Sequence, residues 1–171
     1  MSKVSADKEN LRKSLREIFV EELRKDHSVR INIKGSCMHP FIRKTDIVTV
    51  KPIKLEETKV GDVVVYARNS HHGFTLHRLI KKRRDHEGRE YLSTKGDANR
   101  HGDPAVYPEE IYGKVVTIER KDRTIIQLDT RYRHLQGYLL AKRSWIVGVL
   151  RILLKSPHLV PTKVICKIKR F

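Results

Sequence analysis

A cysteine on a tight turn is the side chain of this sequence that is best placed to act as a nucleophile. The segment from Gly35 to Pro40 reads GSCMHP and directly follows an alternating, strand-like pattern. Glycine permits a tight turn, and the proline three residues after Cys37 fixes the outgoing chain. A thiol on such a turn is exposed to a substrate and lies near backbone N–H groups that can stabilise an oxyanion. The alternative is that Cys37 is a small buried hydrophobe, as most free cysteines are.

A histidine and an acidic loop could supply the groups that a thiol nucleophile needs. A neighbouring imidazolium lowers the pKa of a cysteine from its ordinary value of roughly 8.5. His77 lies in a strand-like run over residues 74–80 and is the best candidate for this base, although a strand histidine is more often only a satisfied side chain. The loop over residues 95–103 is dense in Gly, Asp and Asn. A carboxylate there could orient the histidine as in a catalytic triad, or the loop is an ordinary turn.

Five short motifs occur in a fixed order between about residues 29 and 119. They read Gly-x-Cys-Met-x-Pro, Gly-Asp-Val-Val-Val, His-Arg, Lys-Gly-Asp-x-Asn and Gly-Lys-Val-Val, and they begin at residues 35, 61, 77, 95 and 113. Each motif is short, but the ordered set is specific. It resembles the superfamily of type I signal peptidases and SOS-repressor autopeptidases, in which serine usually precedes the Met-x-Pro.

The resemblance implies a role for each matching residue. Cys37 falls on the nucleophile position, His77 on the general-base position, and Asp103 on the acid position of the branch that uses histidine. Supporting or oxyanion roles are implied for the neighbouring motif residues, namely Gly35, Ser36, Met38, Pro40 and Asp97. Three features depart from the family pattern: cysteine replaces serine, Gly35 stands where a second hydroxyl often occurs, and no membrane anchor is visible.

The function that the resemblance implies is an endopeptidase that cleaves a leader or signal-like peptide in a precursor protein. In this superfamily the substrate often lies extended along exposed strands. One alternative is a catalytically silent relative that only binds extended peptides. Another is a basic nucleic-acid-binding relative of the repressors, which is disfavoured because only one helix fits before residue 29. No cofactor is expected, and no carboxylate or thiol stands at metal-ligand spacing around His71, His72 and His77.

The sequence predicts that these residues are positioned by a mostly β, compact antiparallel domain between two helices. Apolar residues at spacings of three and four predict a helix over about residues 8–25, from Leu11 to Leu23. A longer helical period between Leu135 and Leu154 carries cations on one side and predicts an amphipathic C-terminal helix. The sequence thus divides into an N-terminal helix at 1–28, a peptidase domain at 29–130 and a basic helix and tail at 131–171. Short alternating runs between turns predict seven strands, at residues 29–33, 47–50, 62–67, 74–80, 91–94, 112–119 and 124–128.

The charge of the chain favours anionic partners. Its 171 residues include 37 Lys and Arg against 20 Asp and Glu, a formal net charge of +17. Besides the peptide, an anionic membrane surface is a possible partner of the C-terminal helix, whose apolar stripe could equally pack on the β domain, and nucleic acid is less favoured. Cys37 and Cys166 are too few for a disulfide framework and are expected to be free thiols in a reducing compartment. Since no secretory leader and no apolar run of about 18 residues occur, we expect a cytoplasmic or peripherally membrane-associated protein.

Overall fold

One antiparallel sheet of seven strands forms the body of the protein and confirms the mostly β fold. A computed structural model describes residues 3–67, 73–130 and 135–142, without the side chains before residue 14. The strand order is β1-β2-β6-β3-β4-β5, and β7 also pairs with β6. Each of the seven predicted strands is present within a few residues of its predicted bounds. They are β1 (Val29–Asn32), β2 (Ile47–Lys51), β3 (Val63–Tyr66), β4 (Thr75–Arg84), β5 (Glu90–Lys95), β6 (Ile111–Glu119) and β7 (Ile125–Gln127).

Both faces of the central strand β3 are buried, which explains its uninterrupted run of apolar residues. Val63 and Val65 point into one core cluster, and Val64 and Tyr66 point into a second cluster with Leu79, Leu92 and Val106. His77 pairs with Val64 across the β3–β4 ladder. Since paired residues of antiparallel strands project to the same face, the imidazole lies on the side of the second cluster.

The N-terminal helix α1 (Lys3–Arg24) begins earlier than predicted and buries only part of its apolar stripe. Phe19 and Leu23 are buried, and the Phe19 ring lies 4.1 Å from that of Phe74. Leu15 and Ile18 are each 57% exposed. The helix therefore packs on the sheet along one narrow line and leaves a second apolar line uncovered by the described residues.

A helical segment over residues 135–142 lies against the turn before β3 through Gly137. A Cβ on Gly61, whose φ is +100°, would lie 2.5 Å from the backbone of Gly137, so both positions depend on having no side chain. Ala141 is buried beside this contact, whereas Leu135 and Leu139 are more than half exposed. The rest of the predicted C-terminal helix, Cys166, His71 and His72 lie outside the described residues. Of the helices in the described ranges, none is long and apolar enough to cross a membrane.

Candidate active site

The turn that carries Cys37 is anchored in the core on one side and open on the other. Met38 and Ile42 are buried, and the Ile42 N–H donates to the Met38 carbonyl at 2.9 Å. Gly35 and Ser36 are exposed before the turn, and Pro40 is exposed within it. Cys37 itself is half-buried, with its Sγ 4.0 Å from the Leu76 carbonyl. The anchoring fixes the backbone while the thiol faces a cleft.

The amide groups at the start of this turn are available to a substrate. Within the described ranges, the N–H groups of Ser36 and Cys37 donate to no protein acceptor. A Cβ at position 35 would meet only the Cys37 Sγ, at 4.0 Å, so the space beside these amides is open. Backbone donors of this kind can stabilise an oxyanion without a second hydroxyl.

His77 lies on β4 and is bonded to a carboxylate from the loop after β5. Its Nδ1 lies 2.6 Å from Oδ2 of Asp103, and His77 is only 6% exposed. The Asp103 N–H donates to the Thr94 carbonyl at 2.8 Å, which ties the loop to β5. Since Nδ1 is engaged with Asp103, Nε2 is the ring nitrogen left to exchange a proton with a nucleophile.

The electrostatics of the pair favour the charged forms of both partners. Burial disfavours the imidazolium of His77, but the hydrogen bond and charge of Asp103, with a smaller contribution from the interaction with Cys37, outweigh burial and raise the pKa of His77 from 6.5 to about 9. Burial likewise opposes ionisation of Asp103, but the hydrogen bonds from His77 and Thr94 lower its pKa below 3.8. Cys37 and His77 line the same cleft.

The cleft beside Cys37 and His77 is largely apolar. It has a volume of about 480 Å³ and is walled by the end of β1 and the start of β4. Ile31, Ile33, Phe74 and Leu76 contribute its apolar side chains. Within the described residues β1 pairs only with β2, so its other edge lies free next to the cleft. Such an edge can accept an extended peptide as an added strand.

Asp97 contacts Arg78 and does not contact the His77 ring. The Arg78 guanidinium donates to the Asp97 carboxylate at 2.8 and 2.7 Å and to the Gly61 carbonyl at 2.8 Å, and it stacks 4.4 Å from the centre of the Phe41 ring. Arg78 is 1% exposed. The Gly-Asp, His-Arg and Gly-Asp-x-Asn motifs are therefore connected through one buried arginine, because Arg78 of the second motif bonds to Gly61 of the first and Asp97 of the third.

The loop after β5 also holds the cysteine turn directly. The Ala98 N–H donates to the Cys37 carbonyl at 2.8 Å. A Cβ on Gly96 would lie 2.8 Å from that same carbonyl oxygen, so glycine is required for the approach. The loop thus supplies Asp103, the arginine partner Asp97 and a hydrogen bond that holds the Cys37 backbone.

Two hydroxyl residues at the site were not predicted from the sequence. Thr94 Oγ1 donates to Oδ2 of Asp103 at 2.8 Å, and Tyr66 OH lies 3.4 Å from Nδ1 of His77. Thr94 directly precedes the Lys-Gly-Asp motif, and this position is the one sequence feature that could have indicated its place at the site. Nothing in the sequence around Tyr66 indicates that its ring reaches His77, since that contact depends on the β3–β4 pairing.

The basic run at residues 81–84 is partly used within the protein. Lys82 donates to the Leu55 carbonyl at 2.8 Å, and Arg84 pairs with Glu90 at 2.9 Å. Such pairing is more typical of a solvated hairpin than of a nucleic-acid patch. Among the described side chains, no group of three or more His, Cys, Asp or Glu could hold a metal ion.

The antiparallel sheet and the ordered motifs around its cleft define a protein similar to the type I signal peptidases, and sequence comparison confirms this resemblance. The similar proteins are catalytic subunits SEC11 of the signal peptidase complex. The subunit from Eremothecium gossypii is 31% identical over 113 residues, which are 66% of this chain and 64% of the relative. That from Zygosaccharomyces rouxii is 26% identical with the same coverage, and that from Debaryomyces hansenii is 30% identical over 49% of this chain and 50% of the relative.

The aligned region spans less than two thirds of the length of each of these relatives. No protein-family model matches the chain.

Proposed function

We propose that this protein is a signal peptidase-like endopeptidase that cleaves a leader or signal-like peptide through the Cys37 thiol. The observation that carries the proposal is the part-buried 2.6 Å contact between His77 and Asp103, beside the cleft that Cys37 lines. The similarity to signal peptidase catalytic subunits supports the same reaction class. The assignment of Cys37, His77 and Asp103 as nucleophile, base and orienting acid is part of the proposal.

In the acylation step, the Cys37 thiolate attacks the carbonyl carbon of the scissile peptide bond. The resulting oxyanion is held by the N–H groups of Ser36 and Cys37. The His77 imidazolium gives its Nε2 proton to the leaving nitrogen, so that the C–N bond breaks and a thioester remains on Cys37. Asp103 keeps the ring oriented and stabilises its cation throughout.

In the deacylation step, neutral His77 takes a proton from water as the water oxygen attacks the thioester carbonyl. The C–S bond breaks, the carboxylic acid leaves, and the thiolate–imidazolium pair is restored. A thiolate needs less help from a base than a serine hydroxyl does, so a cysteine at this position is compatible with the same general mechanism.

The substrate would lie as an extended strand along the free edge of β1. Its backbone would pair with that edge, while small apolar side chains enter the cleft between Ile33 and Leu76. The second candidate function, silent capture of extended peptides, uses the same cleft without the chemistry.

Peptide cleavage tests the proposal. Leader-like peptides are incubated with the wild type, Cys37→Ala and Cys37→Ser, and the products are analysed by mass spectrometry. We expect cleavage by the wild type and none by Cys37→Ala. Peptide binding without cleavage, together with equal alkylation rates for Cys37 and Cys166, would instead support the silent relative.

A peripheral position on an anionic membrane is proposed as well. The exposed side chains of Leu135, Tyr138 and Leu139 lie on one face of the helical segment, with Lys142 one turn further. Apolar and cationic side chains in this arrangement are typical of helices that lie on a membrane surface. Such a position would bring the cleft close to membrane-borne precursors.

A further inference from the structure

Two buried hydroxyl groups surround the carboxylate that holds His77. Thr94 is 0% exposed and Tyr66 is 3% exposed. Thr94 Oγ1 donates to Oδ2 of Asp103 at 2.8 Å. Tyr66 OH lies 3.4 Å from both His77 Nδ1 and Thr94 Oγ1, and the Tyr66 hydroxyl contributes to lowering the pKa of Asp103.

The number of protons on each group determines which group donates in these hydrogen bonds. A threonine hydroxyl has one proton, and its 2.8 Å contact with Asp103 is much shorter than its 3.4 Å contact with Tyr66. The Thr94 proton is therefore committed to the carboxylate, which leaves the Thr94 oxygen free to accept the Tyr66 proton. The imidazole N–H from β4 and the Thr94 hydroxyl from β5 thus both donate to Asp103, and the Tyr66 hydroxyl from β3 lies against both donors.

Asp103 needs this support because it lies outside the regular sheet. It follows β5 in an irregular loop, where its N–H donates to the Thr94 carbonyl. A carboxylate with one partner can rotate about χ2, which is a broad torsion. Donors on rigid strands restrict that rotation and satisfy oxygen lone pairs that burial would otherwise leave unmet.

We propose that Thr94 and Tyr66 are positioning residues that fix the carboxylate of Asp103 against Nδ1 of His77. Their role in catalysis rests on the proposed peptidase function. The groups that face Asp103 are the imidazole from β4, the phenol from β3 and the hydroxyl from β5. The Arg78–Asp97 pair does not take part, because Arg78 pairs with Val63 and projects to the opposite face of the sheet.

The first experiment needs no substrate. Carboxyl ¹³C chemical shifts of Asp103 are followed by NMR as pH is lowered in the wild type, Thr94→Val, Thr94→Ser and Tyr66→Phe. Removal of a donor from the ionised form should raise the titration midpoint of Asp103 in Thr94→Val and Tyr66→Phe. Thr94→Ser keeps the hydroxyl and should titrate like the wild type. Thr49→Val on β2 and Tyr91→Phe on β5 are matched controls that should leave the midpoint unchanged.

The second experiment measures peptide cleavage with the same variants. We expect kcat to fall about 10- to 100-fold in Thr94→Val, as for the loss of a hydrogen bond to a charged group, with KM within about twofold. Thr94→Ser should restore the rate. An unchanged Asp103 midpoint in Thr94→Val, or a Thr94→Ser variant as defective as Thr94→Val, would overturn the positioning role.

The two proposals fail in different ways. If Asp103 responds as expected but the wild type cleaves no leader peptide, the positioning of the pair stands and the peptidase function fails. If the wild type cleaves peptides but the titration midpoint of Asp103 is unchanged in both Thr94→Val and Tyr66→Phe, the peptidase function stands and the positioning role fails.

Discussion

The guanidinium of Arg78 donates two hydrogen bonds to the carboxylate of Asp97, at 2.8 and 2.7 Å. Arg78 directly follows the histidine of the candidate site, and Asp97 directly precedes Ala98, whose N–H holds the Cys37 carbonyl at 2.8 Å. One buried ion pair therefore connects the strand that carries the proposed base to the loop that clamps the proposed nucleophile. The spacing between the two groups depends on this pair.

Loss of this ion pair should destabilise the whole domain. In Asp97→Ala the Arg78 guanidinium, which is 1% exposed, keeps its charge but loses its carboxylate. Removing one partner of a buried pair costs about 3–5 kcal/mol. Urea unfolding followed by circular dichroism measures the change. Glu90→Ala, which removes the partner of exposed Arg84, is the control and should have a much smaller effect. Equal effects of the two substitutions would contradict the structural role of Asp97.

Among the histidines, His77 should matter most for cleavage. His77→Ala should lower kcat/KM by roughly 10²–10⁴-fold, which is the usual contribution of a positioned base. His39 and His101 are close in sequence to Cys37 and Asp103 but are exposed, so alanine there should have little effect. Steady-state cleavage rates of the three variants give the comparison. A larger loss in His39→Ala or His101→Ala would show that the family alignment assigned the base to the wrong residue.

The stability of the domain should fall between about pH 6.5 and pH 9. The pKa of His77 is raised from 6.5 to about 9 despite burial, because Asp103 and Cys37 stabilise the imidazolium. A raised pKa in the folded state contributes stability that is complete below the unfolded value and is lost as pH rises through the folded value. The pKa of Asp103 is lowered, so its contribution is present above its ordinary value and is lost on acidification.

Chemical denaturation at pH 6 and pH 9.5 measures this dependence. Between pH 6 and pH 9.5 the free energy of unfolding of the wild type should fall by on the order of 1–3 kcal/mol more than that of His77→Gln. An equal fall in the free energy of unfolding of the wild type and the variant would show that His77 is not charged in the folded protein near neutral pH.

Much of the fold follows from local sequence, but the details of the site do not. The seven strands were predicted because alternation and turn residues are local signals, and the ordered motifs indicated Cys37, His77 and Asp103. The role of Tyr66 could not be predicted, because its distance to His77 is set by strand pairing across the sheet. The same holds for Gly61 and Gly137, which approach each other across 76 positions of sequence. Helical periodicity in α1 likewise did not distinguish its buried line from its exposed one.

The exposed helical face should bind anionic vesicles. Leu135 and Leu139 are 57% and 59% exposed, and Lys142 extends the face with a cation. The full chain should co-sediment with anionic vesicles at low salt and much less with neutral ones. The Leu135→Ser/Leu139→Ser double variant should bind more weakly, whereas Ile125→Ser, on β7 and also exposed, should not. This surface would be ruled out if the full chain failed to co-sediment with anionic vesicles, or bound them no better than a chain ending at Asp129.

Detection of a covalent intermediate tests most directly whether Cys37 performs the chemistry. The wild type is mixed with a leader-like peptide, quenched in acid within the first turnover and analysed by intact-protein and peptide mass spectrometry. The proposed mechanism predicts a thioester that carries the N-terminal part of the substrate on Cys37, is released by hydroxylamine and is absent from Cys37→Ala. An adduct on Ser36, or cleavage by Cys37→Ala at the wild-type rate, would contradict the assignment of Cys37 as the nucleophile.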